Sequence, residues 1–281
     1  MKLPAWCVGE FLGTFLLVFF GCGSVAAAVL TGAQVGIFQV AIVWGLGIAT
    51  AIYLTGSLSG AHLNPAVTWA LATAGRFPRG KIAGYAAAQF LGAFTAAAVL
   101  HLMFAGPLDA FEQAQGIVRG MPGSEASAMI FGEYFPNPGG RPLTDAVRLL
   151  VSPVIAFLVE AGGTAILVLV ILGLTDKHNA GRPRELTAVT IGLTVTLLIS
   201  LLAPLTQAGF NPARDLAPRL WSALAGWGGW PFRANGRGWL TVYVLGPLVG
   251  GQLGALFYRM FLKPAYRREA ERGQSSTGRP D

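Results

Sequence analysis

The amino-acid sequence predicts an all-α membrane protein with six transmembrane helices and two re-entrant half-helices, arranged as two inverted three-helix repeats. Three observations predict this fold class. Of the 281 residues, 53% are hydrophobic and only 12% are charged, about half the charged share of ordinary soluble domains. Six apolar stretches are long enough to cross a bilayer. Two shorter segments each begin with Asn-Pro-Ala, one in each half of the chain.

The six predicted spans are runs of mostly apolar residues, each close to or above the length of about 20 residues that crosses the hydrocarbon core. Glu10 and Glu160 are the only residues with a formal charge inside them. The predicted spans cover residues 5–30, 37–58, 82–104, 149–174, 186–205 and 239–258.

The half-helices are predicted at residues 64–73 and 211–220, which are too short to cross the membrane. Ten helical residues rise about 15 Å, half of the hydrocarbon thickness. Asn64 and Asn211 are favoured N-cap residues, and the proline after each suits the first helical turn, where its missing N–H would be unpaired anyway. The non-helical backbone before each half-helix must be buried or line a water-filled cavity.

Internal similarity divides the chain into two repeats. Glu10 and Glu160 each begin a Glu-x-x-Gly-Thr motif, an Asn-Pro-Ala follows each, and Leu-Gly-Ala recurs in the third span of each half. Because each repeat has three spans, an odd number, the second repeat is inverted in the membrane relative to the first. The half-helices therefore enter from opposite faces and meet near the midplane. The predicted boundaries within this single domain are 1–104 for the first repeat, 105–147 for an external linker, 148–262 for the second repeat and 263–281 for a cytoplasmic tail.

The net charge of +7 does not predict a nucleic-acid partner, because the basic residues lie between the apolar stretches and in the tail, without interleaved aromatic residues. Their distribution predicts a multi-pass protein of the cell membrane, plasma or inner, with both termini cytoplasmic. The three histidines (His62, His101 and His178) are scattered, and no metal-ligand cluster or nucleophile with a base occurs. We expect no enzyme activity, no metal and no other cofactor.

Carboxylates inside a membrane are costly, so Glu10 and Glu160 require an explanation. In a structural interpretation, each accepts hydrogen bonds from backbone N–H groups of a nearby re-entrant loop, and their equivalent positions in the two repeats favour this. In a functional interpretation, they couple transport to protons or sodium ions. Saturable, ion-driven uptake that depends on either residue would distinguish the second interpretation from the first.

The segments SGAHLNPAVT (residues 59–68) and FNPARD (residues 210–215) resemble the aquaporin superfamily, the major intrinsic proteins. The linker segments FEQ (111–113), IVRG (117–120) and YFPNP (134–138) are similar to its glycerol-facilitator, or aquaglyceroporin, branch, and Asp215 is typical of that branch. The resemblance covers nearly the whole chain. It implies the aquaporin fold, a homotetramer in the lipid bilayer and a passive channel.

The resemblance also implies roles for individual residues. Asn64 and Asn211 are expected to donate side-chain N–H bonds to permeating oxygens. Arg214 is expected at the external constriction, where it donates to the solute and repels cations, and Trp44 is expected to form an apolar wall there. Backbone carbonyls are expected to form a ladder of acceptors that leads to the asparagines, from Gly60, Ala61, His62, Gln207, Ala208 and Gly209.

The expected selectivity filter departs from the glycerol-facilitator pattern. Ala208 stands where that branch has Phe, and Ile199 where it has Gly. Phe210 is expected to refill part of the space lost at Ala208. The resulting filter resembles that of certain plant channels that pass glycerol and uncharged metalloid acids, and it consists of Trp44, Ile199, Ala208, Phe210 and Arg214.

We therefore expect a passive channel for glycerol and other small uncharged polar solutes, with some water, that excludes protons and ions. A water-selective aquaporin and a metalloid-acid channel are alternatives. The first of these is favoured by Tyr243 and Val244, where glycerol facilitators tend to have Pro and Leu. An ion-coupled secondary transporter is the alternative from another class of protein.

Overall fold

The computed structural model of the chain describes residues 3–277, and all regular secondary structure in this range is helical. Six of the described helices are long and apolar enough to cross a membrane, as the sequence predicts. The first half contains three spans and one half-helix, namely α1 (Ala5–Thr31), α2 (Ile37–Ser59), the half-helix α3 (Pro65–Thr73) and α4 (Ile82–Gln115).

The third span is longer than predicted. α4 continues beyond residue 104, through Pro107, and ends at Gln115, where Gly116 adopts the left-handed conformation that caps it. The prediction ended at residue 104 because hydropathy marks the apolar limit of a span, whereas a helix continues into water as long as its backbone hydrogen bonds are made. The last turns of α4 therefore belong to the predicted linker.

The linker is folded against the helices instead of hanging free. It contains two single-turn helices, α5 (Glu125–Ala128) and α6 (Asp145–Arg148), and every residue from 124 to 136 is buried. Phe131 and Tyr134 pack with Leu108 of α4 and with Trp227 from the second half. The linker thus covers the end of the bundle that is predicted to be external.

The second half repeats the order of the first, with α7 (Pro153–Leu174), α8 (Thr187–Thr206) and the half-helix α9 (Pro212–Ser222). α7 begins later than the apolar run predicts, because Ser152 caps it through the Ile155 N–H and Pro153 occupies its first position. One-turn 3₁₀ segments lie at Arg79–Lys81, Arg184–Leu186 and Trp230–Phe232, and a π-helical turn at Ala223–Trp227.

The last span is a continuous helix that contains two π-helical turns and extends into the predicted tail. Its successive parts are α10 (Gly238–Leu240), the π turn Thr241–Leu245, α11 (Gly246–Phe257), the π turn Tyr258–Leu262 and α12 (Lys263–Thr277).

Equivalent helices of the two halves make equivalent contacts. α1 packs against α2 and α4, and α7 packs against α8 and α11. Across the halves, α2 packs on α8, α3 on α11 and α9 on α4. α3 and α9 also contact each other, so the two half-helices meet as an inverted repeat requires. The exact repeat boundaries stay a prediction.

Close approach of the spans depends on the glycine of each Leu-Gly-Ala motif. A Cβ on Gly92 in α4 would overlap the carbonyl oxygen of Phe11 in α1. In the second half, a Cβ on Gly254 in α11 would overlap the carbonyl oxygen of Ala165 in α7. Small residues at such crossings let two membrane helices pack backbone to backbone, which explains why this motif recurs.

Replacing Gly92 with Ala should therefore destabilise the protein by about 1–3 kcal/mol, since overpacking forces the two backbones apart. Gly162→Ala in the spanning helix α7 is the control, because a Cβ there meets nothing within 4 Å and no proline follows it. Thermal unfolding in detergent, followed by circular dichroism, should give a lower midpoint for Gly92→Ala only. Equal midpoints for the two variants would contradict the packing argument.

Candidate functional site

The site is built where the N-termini of α3 and α9 meet, and an asparagine caps each. Asn64 Oδ1 accepts from the Ala66 N–H at 2.8 Å. Asn211 Oδ1 accepts from the N–H groups of Ala213 and Arg214 at 3.0 and 3.2 Å. Because each cap occupies the amide oxygen, the orientation of each side chain is determined, and its Nδ2 group is left for other partners.

The two asparagines also join the half-helices to each other. Asn64 Nδ2 donates to the carbonyl oxygen of Phe210, and Asn211 Nδ2 donates to that of Leu63, both at 2.8 Å. An amide nitrogen carries two protons, and within the described residues each asparagine uses only one. Both residues line the inner cavity described below, so one amide proton of each is available to an oxygen in that cavity.

Glu10 holds the loop before α3. Its side chain is fully buried, and its two oxygens accept from the backbone N–H groups of His62 and Leu63 at 2.9 and 2.8 Å. Gln89 donates a further hydrogen bond to it at 2.6 Å.

Glu160 holds the loop before α9 in the same way. It is fully buried and accepts from the backbone N–H groups of Gly209 and Phe210 at 3.0 and 2.7 Å, and from the Thr206 hydroxyl at 2.6 Å. Both carboxylates thus have the contacts that the structural interpretation requires.

These bonds stabilise loops whose backbone is strained. Five non-glycine residues have positive φ, which costs of order 1–3 kcal/mol each. A left-handed residue breaks the helical direction, so the loop carbonyls are not used up in helical hydrogen bonds. The five residues are Ala61 (φ 49°), Leu63 (55°), Gln207 (62°), Ala208 (60°) and Phe210 (53°).

Two cavities lie along the path between the halves. The inner cavity has a volume of about 150 Å³ and the outer one about 420 Å³. The inner cavity is lined by the loop residues, by both asparagines and by aliphatic side chains, among them Leu17, Ile48, Val67, Leu167, Ile191 and Val195. A lining of this kind offers a solute both hydrogen bonds and apolar contact.

Of the six residues expected to supply the carbonyl ladder, five line the inner cavity, namely Gly60, Ala61, His62, Ala208 and Gly209. Gln207 lies instead at the outer cavity. Its side chain accepts from the Tyr134 N–H at 2.8 Å and donates to the Met129 carbonyl at 3.1 Å. Gln207 therefore connects the linker to the loop before α9.

The constriction lies where the two cavities meet, because Trp44, Ile199 and Arg214 line both of them. The Arg214 guanidinium carbon is 4.3 Å from the centroid of the Trp44 ring, a cation–π contact. This distance leaves no room for a solute between the two groups. Gly21 of α1 makes space for the indole, since a Cβ there would overlap the ring.

Ala208 and Phe210 are both expected in the filter, and their side chains have different surroundings. Ala208 lines the inner cavity next to the constriction, and its small side chain leaves space there. Phe210 lines the same cavity, and its ring packs against α7, where a Cβ on Gly163 would overlap it. Leu63 packs against Gly13 in the equivalent place of the first half. The expectation that Phe210 refills part of the space at Ala208 stays a prediction; its carbonyl accepts from Asn64.

Asp215 is fully buried and is not among the residues that line the two cavities. It pairs with Arg219 one turn later in α9, through Nε at 2.9 Å and Nη2 at 2.7 Å. Its Oδ1 also accepts from the Glu133 N–H at 2.7 Å. Asp215 thus attaches the linker to the half-helix that bears Arg214.

The sequence analysis missed one charged group at the site. Glu133 of the linker is fully buried, and its Oε1 is 2.8 Å from Nη2 of Arg214. The only signal in the sequence is that Glu133 stands alone in an otherwise uncharged run, residues 126–140. Nothing in the spacing links it to Arg214. No group of three or more His, Cys, Asp or Glu side chains that could hold a metal ion occurs among residues 3–277.

The fold and the site define an α-helical membrane protein with two cavities that meet at a constriction, next to two capped half-helices. A model of the major intrinsic protein family matches residues 2–258, and the chain belongs to this family.

Several relatives are similar in sequence to this chain over most of their length. The glycerol uptake facilitator of Pseudomonas aeruginosa is 44% identical over 259 residues, covering 91% of this chain and 88% of that protein. The glycerol uptake facilitator of Escherichia coli K12 is 43% identical, covering 92% and 89%. The propanediol uptake facilitator PduF of Salmonella typhimurium is 40% identical, covering 93% and 95%. The X-ray structure of the aquaglyceroporin from Plasmodium falciparum superposes with a TM-score of 0.80 at 28% identity, covering 94% of this chain and 98% of that one.

Replacing Glu10 with Gln should destabilise the protein, because the new amide has one acceptor oxygen instead of two. A buried N–H group left without an acceptor costs about 1–3 kcal/mol. Glu271→Gln, at an exposed position of α12, is the control. Thermal unfolding in detergent should show a lower midpoint for Glu10→Gln alone, and an unchanged midpoint would show that the loop does not depend on this carboxylate.

Proposed function

We propose that this protein is a passive channel for glycerol and other small uncharged polar solutes, with some water. The observation that carries the proposal is the pair of asparagines, Asn64 and Asn211, each with one unused amide proton at an apolar-walled cavity. The relatives named glycerol uptake facilitator and propanediol uptake facilitator support a small polyol as the solute. Pore width and hydrogen-bonding groups determine selectivity in channels of this kind.

The lining suits a polyol because the two sides of such a solute differ. Its hydroxyl groups meet the asparagine donors and the loop carbonyls of residues 60–62 and 208–209, while its C–H groups meet aliphatic side chains. An ion would lose its hydration shell in the cavity and find no charged partner in the aliphatic wall.

Protons and cations are excluded by the helix ends. The N-termini of α3 and α9 both direct partial positive charge at the centre of the pore. Arg214 adds a full positive charge at the constriction. Water molecules on either side of the asparagines are oriented in opposite directions, which interrupts a chain of proton transfer.

A channel that also passes uncharged metalloid acids is the second candidate, because Ala208 and Ile199 leave the filter without the Phe and Gly of the glycerol-facilitator pattern. A water-selective channel has less support, since Tyr243 is buried away from both cavities and donates to the Thr206 carbonyl. An ion-coupled transporter has the least, because Glu10 and Glu160 are occupied with backbone N–H groups.

The assembly and topology form part of the same proposal. We place the protein in the plasma or inner membrane with both termini cytoplasmic, on the distribution of Lys and Arg. Large apolar side chains remain exposed on the outer surfaces of the spans, where lipid and neighbouring copies in a homotetramer would cover them.

Stopped-flow light scattering on proteoliposomes tests the transport function. Vesicles with the protein should equilibrate glycerol faster than empty vesicles, at a rate proportional to the glycerol gradient and independent of sodium or proton gradients. Equal rates with and without protein would refute the channel. Saturable uptake that follows an ion gradient would instead favour the transporter.

Replacing Ala208 with Phe should narrow the constriction and shift the permeability ranking of water, glycerol, urea and an uncharged metalloid acid toward that typical of glycerol facilitators. The matched control is Ala87→Phe, at an exposed position of α4, which should leave the ranking unchanged. An unchanged ranking for Ala208→Phe would show that this residue does not belong to the filter.

A further inference from the structure

We propose that Glu133 is a positioning residue of the filter, whose negative charge holds Arg214 on the pore wall and keeps its guanidinium from binding the permeating solute too tightly. This inference rests on the proposed channel function and concerns the same site. It assigns a role in selectivity to the linker, through a contact between two residues 81 positions apart.

Glu133 touches both parts of the filter. Its Oε1 lies 2.8 Å from Arg214 Nη2, and its carboxylate lies directly against Gly209, where a Cβ would overlap Oε2. Gly209 itself lines the inner cavity. The carboxylate therefore sits behind the pore wall, in contact with the guanidinium and with the loop beside it.

The position of Glu133 is determined by α9 itself. Its N–H donates to Asp215 Oδ1 at 2.7 Å, and its carbonyl oxygen accepts from Arg219 Nη2. Arg219 is in turn paired with Asp215. The Asp215–Arg219 ion pair of α9 thus binds the backbone of Glu133. The same half-helix places Arg214 next to the Glu133 side chain, so the guanidinium and the carboxylate are held close together.

Glu133 and Arg214 depend on each other for charge compensation. Both are at most 4% exposed, and among the described residues neither oxygen of Glu133 accepts a hydrogen bond that would replace the ion pair. The guanidinium makes one further polar contact outside the pair, a long 3.5 Å bond from Nη1 to the Phe131 carbonyl. Removing one member of a buried pair leaves the other charge uncompensated.

An uncompensated Arg214 has two ways to recover stabilisation, and both slow permeation. It can press more closely on the Trp44 ring, which it already contacts at 4.3 Å, because a cation–π contact strengthens when the cation is desolvated. It can also bind the hydroxyl groups of the solute more tightly. Conduction requires that a permeating species leave its sites easily, so the flux falls in either case.

The glycerol flux should also depend on pH. Burial is the main cause that raises the pKa of the Glu133 carboxyl well above its usual value, opposed by Arg214 and reinforced by Glu160 and Asp215. Glu133 is therefore ionised above that raised pKa and becomes neutral as the pH falls through it, which removes the compensating charge. The titratable groups facing it are Arg214, Asp215 and Arg219 of α9, Glu160 of α7, Tyr243 of the last span and Cys22 of α1.

Glycerol flux into proteoliposomes, measured with the same pH inside and outside, tests the proposal. The wild-type flux should fall as the pH is lowered through the raised pKa of Glu133. Glu133→Gln should conduct several-fold more slowly at neutral pH and show a flat pH profile, whereas Glu133→Asp, which keeps a carboxylate, should retain the pH dependence. Glu112→Gln is the matched control, since Glu112 is a nearly buried linker carboxylate paired with Arg119 at 2.7 Å, away from Arg214. It should keep the wild-type profile.

The outcomes separate this inference from the function on which it rests. If wild-type vesicles are no faster than empty ones, the channel function fails, and the role of Glu133 with it. If the wild type conducts glycerol but its flux does not change with pH, or if Glu133→Gln matches the wild type in rate and profile, only the role of Glu133 is overturned. A flat wild-type profile overturns the role of Glu133 even if Glu133→Gln does not fold.

Discussion

The structure depends on one constraint, that backbone N–H and C=O groups cannot remain unpaired inside a membrane. A half-helix with a non-helical loop breaks the helical pairing that satisfies this constraint. Here Glu10 and Glu160 receive the loop N–H groups, and Asn64 and Asn211 cap the half-helices. The loops whose donors are paired in this way also line the inner cavity. The bonds that make the loops stable therefore also fix the residues that line the cavity.

The two halves pair the backbone N–H groups of their loops in the same way, but the site is not symmetric. Each asparagine donates to a carbonyl of the opposite loop, so the centre of the pore is shared equally. The positive charge at the constriction instead comes from the second half alone, because Arg214 follows Asn211 in α9 while Val67 stands at the equivalent position in α3. A buried guanidinium requires a counter-charge. The chain supplies it from the linker, in the carboxylate of Glu133.

Membrane helices can approach closely only where their side chains permit it, and this determines the shape of the filter as well as the packing of the spans. Gly92 and Gly254 let two pairs of helices meet backbone to backbone. The same effect places the aromatic rings: Gly21 receives the Trp44 indole at the constriction, and Gly163 receives the Phe210 ring at α7. The width of the filter is thus decided partly by glycines that do not line the pore.

The sequence by itself determined the membrane class, the six spans, the two half-helices and their asparagine caps, because hydrophobicity and capping act over a few neighbouring residues. The paired motifs also indicated that both carboxylates hold loops. Only the tertiary structure decided what depends on contacts between distant segments. The direction of the Phe210 ring depends on the space opposite it at Gly163, and the pairing of Arg214 with Glu133 depends on how the linker folds onto α9. Neither leaves a pattern in sequence spacing, because a buried charge or ring is placed by whatever surrounds it in three dimensions.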